Sequence, residues 1–146
     1  MNTSPNINSN PTRSIVTAAL VPDANRLNFL PRHFGRQMMA VEQEVFTQMR
    51  ALCEDYNGGY FHFFDLSNGG CFLALESSDP LKIGVVGNGY EGTMSAVAAG
   101  ITATLFALSA LCFRFSHAER LAERYHQLRE FALDHPEAGA IFAAID

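Results

Sequence analysis

Leu81-Lys82-Ile83-Gly84-Val85-Val86-Gly87-Asn88-Gly89-Tyr90-Glu91-Gly92 runs into Thr93-Met94-Ser95 and a charge-free stretch that ends at Phe113. Two incompatible folds can be read from it. Gly87, Gly89 and Gly92 spell G-x-G-x-x-G, the glycine pattern of a dinucleotide-binding turn. That turn needs a helix opening on the glycines and then a second strand ending in an acid about 20 residues on. No Asp or Glu occurs between Glu91 and Glu119, and the interval reads as one long helix. The same residues read better as a β-hairpin, with Asn88-Gly89 as a two-residue loop and Tyr90 to Met94 as the return strand. Leu81, Ile83 and Val85 alternate with Lys82 and Gly84, as a strand with one buried face requires. The hairpin reading makes the glycines structural.

Working outward, Tyr60 to Leu66 and Gly70 to Glu76 flank a second turn signal, Asn68-Gly69. A two-residue loop there sets Phe64 opposite Leu73 and His62 opposite Leu75. Together the two hairpins predict a four-stranded antiparallel β-meander. Before them, Ser14 to Val21 reads as an extended edge segment, and Asp23 as the cap of a short helix that Pro31 ends after Leu30. Val41, Val45, Met49, Leu52 and Tyr56 recur at helical spacing, so a helix from Met38 to Tyr56 is expected, stopped by Asn57-Gly58-Gly59. After the meander, Ser95 suits the cap of a helix from Ala96 to Phe115. Ser116 and Glu119 spell a capping box for a helix from His117 to Asp134, with Leu121, Tyr125, Leu128 and Ala132 inward. Pro136 suits the first turn of a last helix. The expected class is α+β: the meander packed against a bundle of about four helices, in a single domain over residues 14–146, behind a disordered tail at residues 1–13.

The 146 residues, 48% hydrophobic and 17% charged, suffice for a core without metals or disulfides. Cys53, Cys71 and Cys112 are odd in number, far apart and set in apolar segments, which points to buried reduced thiols in a reducing compartment. Gly92 to Phe113 is long enough to span a bilayer, yet it carries Thr93, Ser95, Gly100, Thr102, Thr104 and Ser109, and a helix apolar all round also suits the centre of a domain. The net charge of −5 is uneven: four arginines face Asp23 through Val41, and six basic residues face fourteen acids beyond it. Lys82 is the only lysine, which argues against a broad DNA-binding surface.

No nucleophile elbow, P-loop, H-E-x-x-H or zinc-ligand spacing is present. His62 and Asp65 lie on opposite faces of one strand, and His117 and His126 on opposite sides of one helix. Cys53 would need a histidine brought to it by the fold. The aromatic run Tyr60, Phe61, Phe63 and Phe64 lacks the basic surroundings of a base-stacking platform. The chain is therefore read as a non-enzyme with no cofactor or metal.

Several blocks resemble, in order, the ArdB/KlcA antirestriction proteins carried by bacterial plasmids and other mobile elements. They are Arg26-Leu27-Asn28-Phe29-Leu30-Pro31 with Phe34-Gly35, Leu52 through Tyr60, Leu66-Ser67-Asn68-Gly69-Gly70, and Asn88-Gly89-Tyr90-Glu91-Gly92. Ser95-Ala96, Ala98-Ala99-Gly100-Ile101, Arg124-Tyr125-His126, Leu128-Arg129, His135-Pro136-Glu137-Ala138 and Ile145-Asp146 complete them. The resemblance spans roughly Leu20 to Asp146. Val97 stands where an acid is expected in the Ser-Ala-x-Ala-Ala-Gly block, Cys71-Phe72-Leu73 replaces a more aromatic run, and tryptophan is missing altogether.

The resemblance implies a cytoplasmic protein that protects incoming DNA from type I restriction-modification enzymes of the host. It brings no catalytic residue with it. The expected partner is the restriction complex or a host factor acting on it. Imitation of DNA is excluded by charge, because a ~20 base-pair decoy carries on the order of 40 negative charges, one per ~1.7 Å. This chain has fifteen acids and ten basic residues. Candidate partner contacts are Arg32 and Arg36, on the basic section, and Asp146, whose simpler reading is the end of a frayed helix. The rival readings are a nucleic-acid-binding accessory protein using Arg26, Arg32 and Arg36, and a small enzyme of unknown class.

Overall fold

The computed structural model describes residues 14–146, so the tail expected at residues 1–13 lies outside them. The strands are β1 Ala18–Leu20, β2 Phe61–Leu66, β3 Cys71–Leu75, β4 Leu81–Val85 and β5 Tyr90–Met94. The helices are α1 Arg26–Phe34, α2 Met38–Leu52, α3 Ala96–Arg114, α4 Glu119–Leu133 and α5 Ala138–Ile145. The class is α+β, but the meander is not continuous. β1, β2 and β3 form one antiparallel sheet in that order, while β4 and β5 form a separate hairpin. The edge segment expected near Ser14 to Val21 contributes β1, which pairs Ala18 with Leu66 and Leu20 with Phe64.

Helix α3 explains why β3 and β4 do not pair. Phe63 sends its carbonyl to the Val21 N–H on the β1 side. Leu73, opposite Phe63, therefore points its own N–H and C=O away from β2. Those two groups are taken by the Thr104 hydroxyl of α3, at 3.3 and 3.4 Å. A fourth strand would need the edge that Thr104 fills. Gly100, one turn earlier on α3, lets the helix come this close: a Cβ there would lie 2.4 Å from the Leu73 carbonyl oxygen and 2.6 Å from Ala74 Cα. α3 is also enclosed by α2, α4 and α5. Twelve of its nineteen residues are buried, which accounts for a helix long and apolar enough to cross a membrane as the centre of the core.

Both hairpin loops are longer than their Asn-Gly pairs suggest. In the first, Leu66 N–H donates to Gly70 O at 2.9 Å around a three-residue loop, with Gly69 at φ +94°. The register is therefore one residue away from the expected one: Phe63 faces Leu73, His62 faces Ala74, and Phe64 stacks on Phe72 with ring centroids 4.6 Å apart. In the second, Val85 pairs with Tyr90 and the loop is Val86 to Gly89. The cause is the same in both. Each Asn side-chain oxygen accepts the N–H two residues on, from Gly70 at 3.0 Å and from Tyr90 at 2.9 Å. Each Asn amide then donates to a helix: Asn68 to Gln127 O and Glu130 Oε1 on α4, Asn88 to Ala143 O and Ala144 O on α5. Loop length follows from docking these turns onto helices.

Helix boundaries differ in instructive ways. Pro31 lies inside α1, which continues to Phe34 and ends at Gly35, φ +53°. The carbonyl left without its donor belongs to Leu27 on the exposed side, where water can serve it. Phe29 stacking on Phe63 at 4.5 Å holds the helix down. α2 stops at Leu52 rather than Tyr56, because extended Cys53 is buried and Tyr56 turns edge-on to Phe61. Ser95 does cap α3, accepting from Ala98 N–H at 3.1 Å. The capping box at Ser116 does not form: α4 starts at Glu119 with no side-chain cap, and Gln37 Nε2 instead donates to His117 O at 2.8 Å. Pro136 sits in the turn before α5.

Candidate functional site

The polar side chains converge most densely where α1, β2 and α4 meet. His33 is buried to 3% exposure. Its Nε2 is 2.6 Å from Asp65 Oδ1, and its Nδ1 accepts from Arg124 Nε at 3.1 Å. An arginine always donates, so Nδ1 is the acceptor and Nε2 carries the proton. Burial pulls the His33 pKa down and the Asp65 hydrogen bond opposes it, while Arg124 and Arg32 push it down further. The imidazole is neutral at pH 7, and its contact with Asp65 is a hydrogen bond rather than an ion pair. Burial raises Asp65, but hydrogen bonds from His33 and Arg32 outweigh that and hold its carboxyl below the ordinary value.

This His–Asp pair is not a catalytic dyad. Both ring nitrogens are committed and the ring is enclosed, so no substrate proton can reach it. Arg32 donates to both Asp65 oxygens, at 3.3 and 3.1 Å, and is 43% exposed. Arg124 also reaches Gln127 Oε1 at 3.2 Å. Gln127 Nε2 in turn donates to Asn68 O, so the cluster continues into the first hairpin loop. The arrangement pins three elements together.

Arg36, in the 3-10 turn Gly35–Gln37, is exposed and makes no ion pair or hydrogen bond among the described residues. Arg120 of α4 arrives beside it, its guanidinium 3.6 Å from where a Cβ on Gly35 would stand. Arg120 carries no sequence signal, and the family block with Arg124 says nothing of its partner, since both are some ninety residues away along the chain and only α4 packing brings them here. Arg26 lies over the rings of Tyr60 at 4.5 Å and Phe63 at 4.1 Å, committed to cation–π packing. Asp146 is exposed, and its N–H closes α5 on Phe142 O. Arg32 is thus tied to Asp65, Arg36 is exposed next to the Gly35 that Arg120 approaches, and Asp146 ends α5.

The other chemical candidates separate. His62 sits 3.3 Å from Glu76 and edge-on to Tyr60 and Phe64. Cys53 and Cys71 are buried, and burial drives the Cys71 thiol far above the range where a thiolate forms. Among the described residues, no group of three His, Cys, Asp or Glu side chains could hold a metal. An open groove of about 820 Å³ runs along the β4–β5 hairpin beside Arg50 and Glu54. No helix begins there. The nearest helix N-terminus, that of α3, is already filled: Glu137 accepts the Ser95 N–H at 2.9 Å and the Ser95 hydroxyl at 2.5 Å. A phosphate on a dinucleotide turn would need a helix opening on the glycines, whereas Gly87 to Gly92 form the turn and return strand of the β4–β5 hairpin.

A family model described as antirestriction protein matches residues 54–146. The chain belongs to the antirestriction protein family. It is 53% identical over 135 residues to antirestriction protein KlcA of Escherichia coli, covering 90% of this chain and 95% of the relative. It is 38% identical over 135 residues to YafX, an uncharacterized protein of Escherichia coli K12, covering 90% and 88%. A solved structure superposes with a TM-score of 0.86 at 51% identity, covering 94% of this chain and 99% of that one. It comes from work describing KlcA and ArdB as a novel fold with antirestriction activity against type I DNA restriction systems in vivo but not in vitro.

Residues that carry the family resemblance turn out to be structural ties. Asn68, Asn88, Ser95, Gly100, Arg124 and Glu137 each join one element to another. Val97, where an acid was expected, is half-buried against the core, and Cys71-Phe72-Leu73 is fully enclosed. These residues of the family pattern spell the scaffold.

Proposed function

We propose that this chain protects DNA from type I restriction in cells, through a protein surface in the cytoplasm and without catalysis of its own. The single observation that carries the reading is the match, 51% identical across nearly both full lengths, to a fold described as antirestrictive in vivo but not in vitro. An activity present in cells and missing with purified components needs a further participant. A shaped surface that engages a host factor acting on the restriction complex meets that requirement. Polyanion mimicry does not, because fifteen acids against ten basic residues fall far short of a duplex's phosphate charge, and Glu44, Asp65 and Glu137 are spent on partners within the fold. Three unpaired thiols support a reducing compartment.

The contact surface we assign is the face holding Arg32, Arg36 and Arg120, where the guanidinium groups of Arg36 and Arg120 make no ion pair or hydrogen bond among the described residues. Phage plating on cells with a type I system, with and without the chain, tests both levels. Wild type should raise plating of unmodified phage, and the Arg36→Ala, Arg120→Ala double variant should lose much of that gain while remaining folded. Equal plating with and without wild type, at confirmed expression, refutes the function. Full protection by the double variant refutes only the surface.

A further inference from the structure

We propose that Asn57 is a site of spontaneous backbone-assisted deamidation, and that the fold protects the chain's other two Asn-Gly turns from the same reaction. The chain holds three such pairs in its described part: Asn57-Gly58, Asn68-Gly69 and Asn88-Gly89. The reaction needs two groups at liberty. The glycine backbone nitrogen attacks the Asn side-chain carbonyl carbon and forms a C–N bond to it. The carbon–amide nitrogen bond breaks, the attacking nitrogen gives up its proton, and ammonia leaves. Water then opens the resulting succinimide at either carbonyl, giving an aspartyl or an isoaspartyl linkage. No oxidant or other reactant takes part.

At the two hairpin turns both groups are tied. Gly69 N–H donates to Leu66 O at 3.0 Å, and Gly89 N–H to Val85 O at 2.9 Å. The Asn68 side chain is held by Gly70 N–H, Gln127 O and Glu130, and that of Asn88 by Tyr90 N–H, Ala143 O and Ala144 O. Attack there requires the turn to undock first. At Asn57 neither group is held by a described residue. Asn57 and Gly58 are exposed, make no hydrogen bond among the described residues, and lie between the end of α2 and the start of β2. Gly58, at φ +107°, has nothing within 4 Å of where a Cβ would stand, so the space beside it is open. Conversion adds one negative charge beside Glu54 and Asp55, and the isoaspartyl product adds a backbone carbon to this connector.

Peptide mapping by mass spectrometry, with electron-transfer fragmentation to tell aspartyl from isoaspartyl, tests this on the full folded chain held in mildly alkaline buffer. A gain of one dalton should accumulate at Asn57 at least about tenfold faster than at Asn68 or Asn88, since each locked turn must first break hydrogen bonds on both reacting groups. In denaturant the three rates should converge. The Asn57→Gln variant should keep its elution position on an anion exchanger while wild type shifts. Equal rates at all three pairs in the folded chain overturn the proposal, as does an unchanged Asn57. Persistent slowness of Asn68 and Asn88 in denaturant also overturns it, because neighbouring sequence rather than the fold would then be the cause.

Discussion

Replacing Gly100 and Gly139 by alanine, one at a time, should move stability in opposite directions. Both glycines lie inside helices, where alanine is preferred by about 1 kcal/mol because glycine loses more backbone freedom on folding. At Gly139 of α5 nothing lies within 4 Å of the new Cβ. That variant should gain about 0.5–1 kcal/mol, a rise of roughly 2–4 °C in Tm at about 4 °C per kcal/mol. At Gly100 the Cβ would stand 2.4 Å from Leu73 O, 2.5 Å from Ala74 Cβ and 2.6 Å from Ala74 Cα. Ordinary contact begins near 3.5 Å, so β3 must retreat from α3 by about 1 Å. Two of those atoms are backbone and cannot swing aside, and the retreat stretches both Thr104 contacts to Leu73. Overpacking of this kind costs about 1–3 kcal/mol and here sits at the upper end. After the helix-propensity gain, Gly100→Ala should lose about 2 kcal/mol, or roughly 8 °C. Thermal and urea unfolding of the pair measure it. A Gly100→Ala variant as stable as wild type, beside a Gly139→Ala variant that gains as stated, would refute the claim that α3 touches the edge of β3.

Asn88→Asp should cost about 1–2 kcal/mol near pH 7, read as a drop in urea midpoint, because a carboxylate replaces the amide donor to Ala143 O and Ala144 O at the carbonyl end of α5; the loss should shrink as acid protonates the new group, and a pH-independent effect would point to some other cause. His33 gives stability a pH slope of predictable sign. Its folded pKa is lowered, so its contribution is complete above the unfolded value of 6.5 and is lost as pH falls from there toward the folded value. His135, lowered by burial, acts in the same direction. Urea titrations across this window should show stability falling with acid, and His33→Gln should flatten part of that slope; an unchanged slope would mean His33 is not held neutral. Asp65, with its pKa depressed, keeps its contribution through this range and loses it only in stronger acid.

Sequence by itself determined the elements whose physics is local. Alternation of Leu81, Ile83 and Val85, the helical spacing through Leu121 and Leu128, and the Ser95 cap each require only neighbours along the chain. β5 and the start of α3 fall where these patterns put them. The family blocks were legible too, because they are tied to fixed backbone geometry.

Tertiary structure decided what depends on partners remote in sequence. Whether the strands form one sheet or two depends on Thr104 reaching Leu73, thirty-one residues away. Hairpin register depends on Asn68 and Asn88 finding carbonyls on α4 and α5. The proposed surface depends on α4 carrying Arg120 to Gly35, and His33 becomes a buried neutral donor only once Asp65 and Arg124 close on it. Periodicity reports which side of an element faces inward. It carries no information about which buried hydrogen-bonding group will satisfy which other, and here that pairing sets the sheet boundary, the loop lengths and the candidate surface.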